Sequence, residues 1–320
     1  MSDSELLLQQ LITGLSNGMI IALIALGYTL VYGIVELINF AHGDLVMLGA
    51  FLALTLLGLL GVDPAHLSTL GLLGVLLILF AGVPAFCAGL NVLVDRFAYK
   101  PLRGASKLSA LVSAIGVSFI FINIGLFWGG LPMQVFGGGV AAASPKDFPA
   151  LLGASNLLGD SVIQFTPRDL IVFLITVPSM LVLTWWVKFT SQGKAMRAVA
   201  QDPLAAQLMG INVNRVVSLC FAVGGMLGGV AAVVYALYNN SVSFQMGYRI
   251  GMDAFTAAVL GGIGNLPGAV LGGLIIGVFR ALSDQYVATM WTNAVVFGVL
   301  IVVLVFRPSG LLGARLREKV

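Results

Sequence analysis

Few residues in this sequence are able to do chemistry, and some of them gather at one break. The segment INFAHGD (38–44) brings Asn39, His42 and Asp44 together between two apolar runs. A break of this kind frees backbone groups and offers polar side chains to a solute, as in the discontinuous helices of transporters. An ordinary turn on the cytoplasmic side of a membrane explains the same residues equally well, so both interpretations stay open.

A second break lies in the stretch 253–283, where turn-forming residues crowd the middle of an apolar segment: Gly261, Gly262, Gly264, Asn265, Pro267 and Gly268. Non-helical backbone inside a membrane is tolerated only where protein or a water-filled cavity satisfies its polar groups. We therefore predict a substrate pathway bordered by both breaks. Its predicted lining residues are Asn39, His42, Thr256, Gly262, Gly264 and Asn265.

The sequence contains few residues in an arrangement that could support catalysis or bind a metal. The Gly193–Lys194 pair is followed by Ala195 and lacks the upstream glycine of a nucleotide-binding P-loop. The two histidines are 24 positions apart, which excludes an H-E-x-x-H zinc site. Both cysteines lie in apolar runs, so neither a disulfide nor a thiolate metal site is indicated. The sequence predicts a protein that is not an enzyme, with no catalytic residue, metal site or cofactor.

The elements that position these breaks are predicted to be membrane-spanning helices. The chain has 320 residues, of which 59% are hydrophobic and 9% charged, and its mean hydropathy is +1.04. This composition predicts an all-α integral membrane protein, because a soluble domain needs far more charge. We predict about seven full transmembrane helices plus a re-entrant or double-short-helix segment near 253–283, forming a single domain over 1–320. The spans are 10–33, 44–60, 68–94, 108–129, 169–187, 216–238 and 287–306.

The lysines and arginines predict the orientation, since cytoplasmic loops retain them. Twelve of the sixteen fall in three segments, namely 95–107, 188–215 and the C-terminal tail from 307. These segments are expected in the cytoplasm, and the N-terminus and residues 130–168 outside. The stretch 253–283 must then enter and leave the membrane by the same face. Arg280 is expected near the outer surface, paired with an acid such as Asp284.

The segment 188–215 predicts ordered structure rather than a loose loop. Asp202 is placed to cap a helix that starts at Pro203, and Gly210 is placed to end it in the left-handed conformation. A basic, half-apolar structure of this kind suits docking to another protein. It equally suits a helix lying on anionic lipid, and the residues alone do not separate these two interpretations.

Four segments resemble the permease subunits of branched-chain amino-acid ABC importers, specifically the LivH type. They are 28–51 (YTLVYGIVELINFAHGDLVMLGAF), 96–116 (RFAYKPLRGASKLSALVSAIG), 193–216 (GKAMRAVAQDPLAAQLMGINVNRV) and 254–277 (AFTAAVLGGIGNLPGAVLGGLIIG). The resemblance implies a second permease subunit, two cytoplasmic ATPase subunits and an extracytoplasmic solute-binding protein as partners, within a lipid bilayer and without nucleic acid. It also implies a bacterial inner-membrane protein with its N-terminus outside and its C-terminus in the cytoplasm.

The resemblance further assigns coupling to the ATPase to Ala205, Ala206 and Gly210, which match the A-A-x-x-x-G core of the family's coupling motif. Arg197 and Asp202 of the same cytoplasmic segment are predicted to take part in coupling as well. The leading glutamate of the family's coupling motif is replaced by Leu204 here, so a salt bridge from that position is not expected. Import of branched-chain amino acids is the implied function. A permease for urea or short amides, or a stand-alone channel, are the alternatives.

Overall fold

The fold is known from a computed structural model, which describes residues 3–35, 39–103, 105–153, 155–159 and 161–313. The described residues are mostly helical. The α-helices are α1 (Asp3–Val35), α2 (Ala41–Leu59), α3 (Thr69–Val94), α4 (Lys107–Gly129), α5 (Pro167–Phe189), α6 (Ser191–Gln201), α7 (Pro203–Leu208), α8 (Val213–Asn239), α9 (Met246–Gly261), α10 (Leu266–Tyr286) and α11 (Thr292–Phe306). Two short antiparallel strands, β1 (Lys146–Asp147) and β2 (Ser241–Val242), pair with each other.

Within the described residues, seven helices are long and apolar enough to cross a membrane. This confirms the predicted fold class and number of spans, but one member of the set differs. Helix α10 is a full-length span of 21 residues, whereas α11 has only 15. The predicted last run, 287–306, is shorter than expected because residues 287–291 form the turn between these two helices.

The centre of the bundle is built on close contact between antiparallel helices α1 and α10. A Cβ atom added to Gly14 would lie 2.8 Å from the Cα of Val278, and one added to Gly277 would lie 2.3 Å from the Cα of Gly18. Small residues let two helix backbones approach in this way, and van der Waals packing then holds helices together in lipid. Glycine at these positions is therefore a packing requirement.

The remaining spans surround this centre. In α1 and α2, 72% of the most apolar window is buried inside the protein, whereas in α5 only 17% is buried. Helices α3 and α4 resemble α5 in this respect, at 28% and 22%. The exposed side chains of these outer helices are large and apolar, for example Leu77, Phe119 and Leu174. A surface of that kind suits contact with lipid or with another apolar helix.

The bundle has two ends, which we call the loop rim and the basic rim. The loop rim carries the start of α1, the ends of α8 and α10, and residues 130–166. That long loop is fixed to α1 where Gln9 Nε2 donates to Gln164 O, and to α8 where Phe148 N donates to Asn240 O. The basic rim carries the end of α1, the end of α5, and helices α6 and α7.

Helices α9, α10 and α11 run down, up and down between the rims. Leu311 N donates to Leu260 O, which places the chain after α11 beside the end of α9 at the basic rim. The ion pair between Asp253 and Arg280 places both arms of the α9–α10 hairpin together nearer the loop rim. The expectation that 253–283 enters and leaves by one face agrees with this path.

The α1–α10 contact gives a stability prediction. Gly277→Ala should lower the free energy of unfolding by about 1–3 kcal/mol, because the added methyl group forces α1 away from α10. Thermal denaturation of the detergent-solubilised protein measures the change. Gly116→Ala in α4 is the matched control, since nothing lies within 4 Å of its added Cβ. Equal melting temperatures for the two variants would show that α1 and α10 are not in backbone contact.

Candidate functional site

The first predicted break lies in the interior of the bundle. The His42 ring is fully buried, beside Gly27 of α1 and near Gly228 at the middle of α8. Asp44 accepts a hydrogen bond from Ser118, the central residue of α4. Helix α2 therefore begins well inside the bundle, which favours a broken helix over a turn at the cytoplasmic surface. Residue 38 of the break lies outside the described residues.

Asn39 belongs to a buried hydrogen-bond network. Its Nδ2 lies 3.3 Å from Asn91 Oδ1, and Tyr99 Oη donates to its Oδ1 at 3.3 Å. Asn91 Nδ2 in turn donates to Phe221 O at 2.6 Å. The network satisfies the side chain of Asn39 and ties α3 to α8, whereas both ring nitrogens of the buried His42 have no hydrogen-bond partner among the described residues. In this conformation the amide of Asn39, which was predicted to line a pathway, is used in hydrogen bonds within the protein.

The second predicted break is the turn of the α9–α10 hairpin at the basic rim. Gly262 has a φ of +104°, which a residue with a side chain rarely adopts, and Gly264 lies against Gly33 near the end of α1. Asn265 caps α10 by accepting from Gly268 N at 3.1 Å and donates to Leu312 O at 2.6 Å. Of the two predicted alternatives, the structure has the pair of helices rather than the re-entrant segment, and α10 is a complete span rather than a short helix.

The backbone after α11 donates hydrogen bonds to carbonyl oxygens at this turn. Leu311 N donates to Leu260 O at 2.9 Å, and Leu312 N donates to Gly261 O at 3.0 Å. Thr256 is likewise satisfied locally, since it is fully buried and its hydroxyl donates to Met252 O on its own helix at 2.8 Å. A role for Thr256 or for the glycine turn in a pathway remains a prediction.

The structure instead shows a cavity of about 420 Å³ at the loop rim, between α1, α8, α9 and α10. Its volume lies within the range of about 300–1,000 Å³ that is typical of small-molecule sites. Its lining combines isoleucines with polar and charged side chains, which include Asn17, Arg249, Asp253, Arg280 and Asp284.

An ion pair lies in this cavity. Arg280 Nη1 is 2.7 Å from Asp253 Oδ2, and the two side chains are 18% and 9% exposed. Arg280 Nη2 also donates to Asn293 Oδ1 at 2.6 Å. The expected partner of Arg280 was Asp284, and this is wrong: Asp284 accepts a hydrogen bond from Thr292, and Asp253 reaches Arg280 across the α9–α10 hairpin.

Two arginines in the sequence pointed toward this cavity. Arg249 and Arg280 were the arginines that the three basic segments and the outer loop left unexplained. A charge within an apolar helix needs a partner, so each of them required an acid nearby. Which acid it was depended on the pairing of α9 with α10, and this pairing has no local signature.

At the basic rim, the predicted capped helix is confirmed as α7. Asp202 Oδ1 accepts from Leu204 N at 2.9 Å and from Ala205 N at 3.1 Å, and Pro203 is the first helical residue. Gly210 follows the helix with a φ of +82°. Helix α6, which starts at Ser191, precedes α7.

The residues predicted for coupling differ in their contacts and in their burial. Arg197 donates to the carbonyl oxygens of Val187 and of Lys188, the latter at 3.1 Å, so it fixes α6 to the end of α5. Ala206 is buried, whereas Ala205 is exposed. Next to Ala205, α7 and its end present bare apolar side chains: Leu204, Leu208 and Met209 are 72%, 89% and 83% exposed.

These features define a class of protein. Seven apolar spans, a helix that starts inside the bundle, a partly charged cavity at one rim and an exposed apolar helix at the other are typical of a multi-pass membrane transport protein. The same features do not suit a bundle that only anchors another domain.

Comparison with known proteins identifies the family. The family model described as "Branched-chain amino acid transport system / permease component" matches residues 10–305, and the chain belongs to this family. It is 38% identical over 98% of its length to the high-affinity branched-chain amino acid transport system permease protein BraD of Pseudomonas aeruginosa, of which 98% is covered. The LivH proteins of Salmonella typhimurium and Escherichia coli K12, of the same description, are 38% and 37% identical over 98% of this chain and 97% of theirs.

The ion pair gives the second prediction. Arg280→Gln should lower the free energy of unfolding by about 3–5 kcal/mol, because it leaves the Asp253 carboxylate largely buried without its cation. The double variant Arg280→Gln with Asp253→Asn should recover a substantial part of that loss, since it removes the stranded charge. Denaturation of both variants in detergent measures the difference. A double variant as unstable as the sum of its two single variants would mean that the residues do not interact.

Proposed function

We propose that this chain is a membrane-spanning subunit of an ATP-binding-cassette importer for branched-chain amino acids. The observation that carries the proposal is the family match over residues 10–305, together with the near full-length similarity to permeases of that description. Two local features support it: the loop-rim cavity combines apolar and charged walls, and the basic rim bears an exposed apolar helix. ATP hydrolysis is assigned to separate chains.

The basic rim is proposed to face the cytoplasm and the loop rim the outside. Support comes from the charges, since the loops at the basic rim carry Lys100, Arg103, Lys194, Arg197 and Arg215, whereas residues 130–166 of the loop rim carry Lys146 alone among lysines and arginines. With this orientation, the N-terminus is proposed to lie outside and the C-terminus in the cytoplasm, in the inner membrane of a bacterium.

The exposed apolar face of α7 is proposed as the docking surface for a cytoplasmic ATPase subunit. Leu204, Leu208 and Met209 are exposed in a segment that a water-soluble partner would reach from the cytoplasm. Helix α7 lies between α6, which Arg197 fixes to α5, and α8, whose cap Asn212 follows four residues after the end of α7. A push on α7 would therefore act on two membrane spans.

The mechanism that follows is alternating access. Closure of the ATPase subunits around ATP would move α7, and α5 and α8 would move with it relative to the α1–α10 pair. A second permease subunit completes the membrane part, two ATPase subunits lie beneath it, and an extracytoplasmic binding protein delivers solute at the loop rim. The family's permease subunits are expected to act as pairs, so the partner is a second copy or a relative.

Solute uptake tests the proposal. The purified complex, reconstituted in proteoliposomes with its binding protein and ATP, should accumulate labelled leucine, isoleucine or valine and should not accumulate urea. Uptake of urea in place of these amino acids would support the alternative permease. Solute movement by the isolated chain in the absence of ATPase subunits would support a stand-alone channel.

Docking through α7 gives a separate prediction. Leu208→Glu should reduce ATPase association and leucine uptake at least about tenfold, because a charge on the docking surface must be desolvated against an apolar partner. Leu208 is 89% exposed, so the folded permease itself should tolerate the change.

The matched control is Gln207→Glu, which adds the same charge to the neighbouring exposed position. Co-purification of the ATPase subunits, together with binding-protein-stimulated ATP hydrolysis, measures the effect. Normal association of the Leu208→Glu variant would place the docking surface elsewhere on the basic rim.

A further inference from the structure

The loop-rim cavity carries balanced and separated charges. Arg249 and Arg280 line it as cations, and Asp253 and Asp284 line it as carboxylates, so the four side chains sum to zero formal charge. An anionic or a cationic solute would meet a repulsive charge in such a cavity. A zwitterion can instead place each of its charged groups near an opposite charge.

The fold already uses part of this charge. Asp253 and Arg280 pair at 2.7 Å, and Arg280 Nη2 donates to Asn293. The buried Nε of Arg280 has no hydrogen-bond partner among the described residues. A guanidinium nitrogen that is enclosed without an acceptor carries a desolvation cost.

Arg249 and Asp284 lie on different helices, nearer the loop rim than this pair. Arg249 belongs to α9 and is exposed to the cavity, and its charge acts on Asp253. Asp284 belongs to α10 and uses Oδ1 to accept from Thr292. The cavity therefore offers a cation and a carboxylate about one helical turn from the fixed ion pair.

Part of the cavity lining is apolar. Ile20 and Ile21 of α1 and Ile250 of α9 line the cavity, and each is 5% exposed or less. Branched aliphatic side chains of this kind pack well against another branched aliphatic group, and they give no partner to a polar one. The cavity thus combines an apolar part of its lining with charges of both signs.

We propose that the loop-rim cavity is an outward-facing subsite for a zwitterionic aliphatic amino acid. Arg249 binds the α-carboxylate, Asp284 binds the α-ammonium, and Ile20, Ile21 and Ile250 contact the side chain. The Asp253–Arg280 pair forms the base and positions these groups. The inference rests on the proposed function and deepens it, since it names where the solute first binds within this chain.

Uptake by the reconstituted complex tests the subsite. Arg249→Gln should lower leucine uptake at subsaturating concentration about tenfold or more, because it removes a charge-assisted bond worth roughly 1.5–3 kcal/mol. Arg249→Lys keeps the positive charge and should retain most of the uptake. Arg168→Gln is the matched control and should transport as the wild type does, since it removes the same charge near the loop rim from a residue of α5 that does not line the cavity.

The outcomes separate the subsite from the proposed function. If the wild-type complex imports leucine and the assembled Arg249→Gln complex does so with unchanged kinetics, the four charges only pin α9 to α10 and the subsite is refuted. If the wild-type complex imports none of the branched-chain amino acids, the proposed function fails and the subsite fails with it.

A labelling experiment covers the case in which Arg249→Gln does not assemble. Asn17→Cys places a thiol in the cavity wall, while Cys87 and Cys220 are buried. A membrane-impermeant thiosulfonate should label it from the loop-rim side, and leucine should slow the labelling severalfold whereas glutamate should not. Ser161→Cys, in the exposed loop, is the control whose labelling should not respond to leucine. Equal rates at Asn17→Cys with and without leucine would overturn the subsite.

Discussion

The close contact of α1 with α10 is the constraint on which the rest of the bundle depends. Lipid offers no hydrophobic force between helices, so these two are held together mainly by close packing, together with a hydrogen bond from Gln10 to Gln285. Glycines on both helices bring the backbones together, from Gly14 near the loop rim to Gly33, which lies against Gly264 at the basic rim. The contact fixes the distance between Asn17 on one helix and Arg280 on the other. The width of the loop-rim cavity follows from it.

A second constraint is that each polar group in the bilayer needs a partner. The chain meets it differently at its two breaks, and at the first only in part. At the start of α2, the side chains of Asn39, Asn91 and Tyr99 hydrogen-bond one another inside the bundle, whereas the ring nitrogens of His42 have no partner among the described residues. At the α9–α10 turn, the backbone after α11 does it, since Leu311 and Leu312 donate to the carbonyl oxygens that end α9. Only the first break leaves polar side chains at mid-depth.

Local sequence signals predicted those parts of the molecule that local physics decides. Apolar runs of sufficient length predicted the spans, and the Asp202–Pro203 pair with Gly210 predicted the start and end of α7. The partner of Arg280 could not be predicted in this way. Asp284 is four residues away on the same helix, which makes it the natural choice, but Asp253 is 27 residues away and reaches Arg280 only through tertiary packing.

The full length of α10 after the glycine turn was not predicted, for a related reason. The cluster from Gly261 to Gly268 indicates that a helix ends there, but it does not indicate the lengths of the helices on either side. The length of α10 depends on residues that seemed to belong to the following span, and Val287 to Trp291 turned out to form a connection. Short apolar runs that adjoin each other are ambiguous in this respect, because hydropathy does not mark where one helix stops.

Helix α8 joins the two functional ends of the molecule. It begins just after α7, with Asn212 as its cap, and reaches the cavity wall with Tyr235 and Asn239. Its 27 residues form a continuous helix of roughly 40 Å. A helix is stiff along its axis, so a displacement of α7 by a docked ATPase would be carried to the cavity without any intermediate rearrangement of side chains. Because α1 and α10 are locked to each other, α8 would move against them, and the cavity that lies between α8 and this pair would change its width.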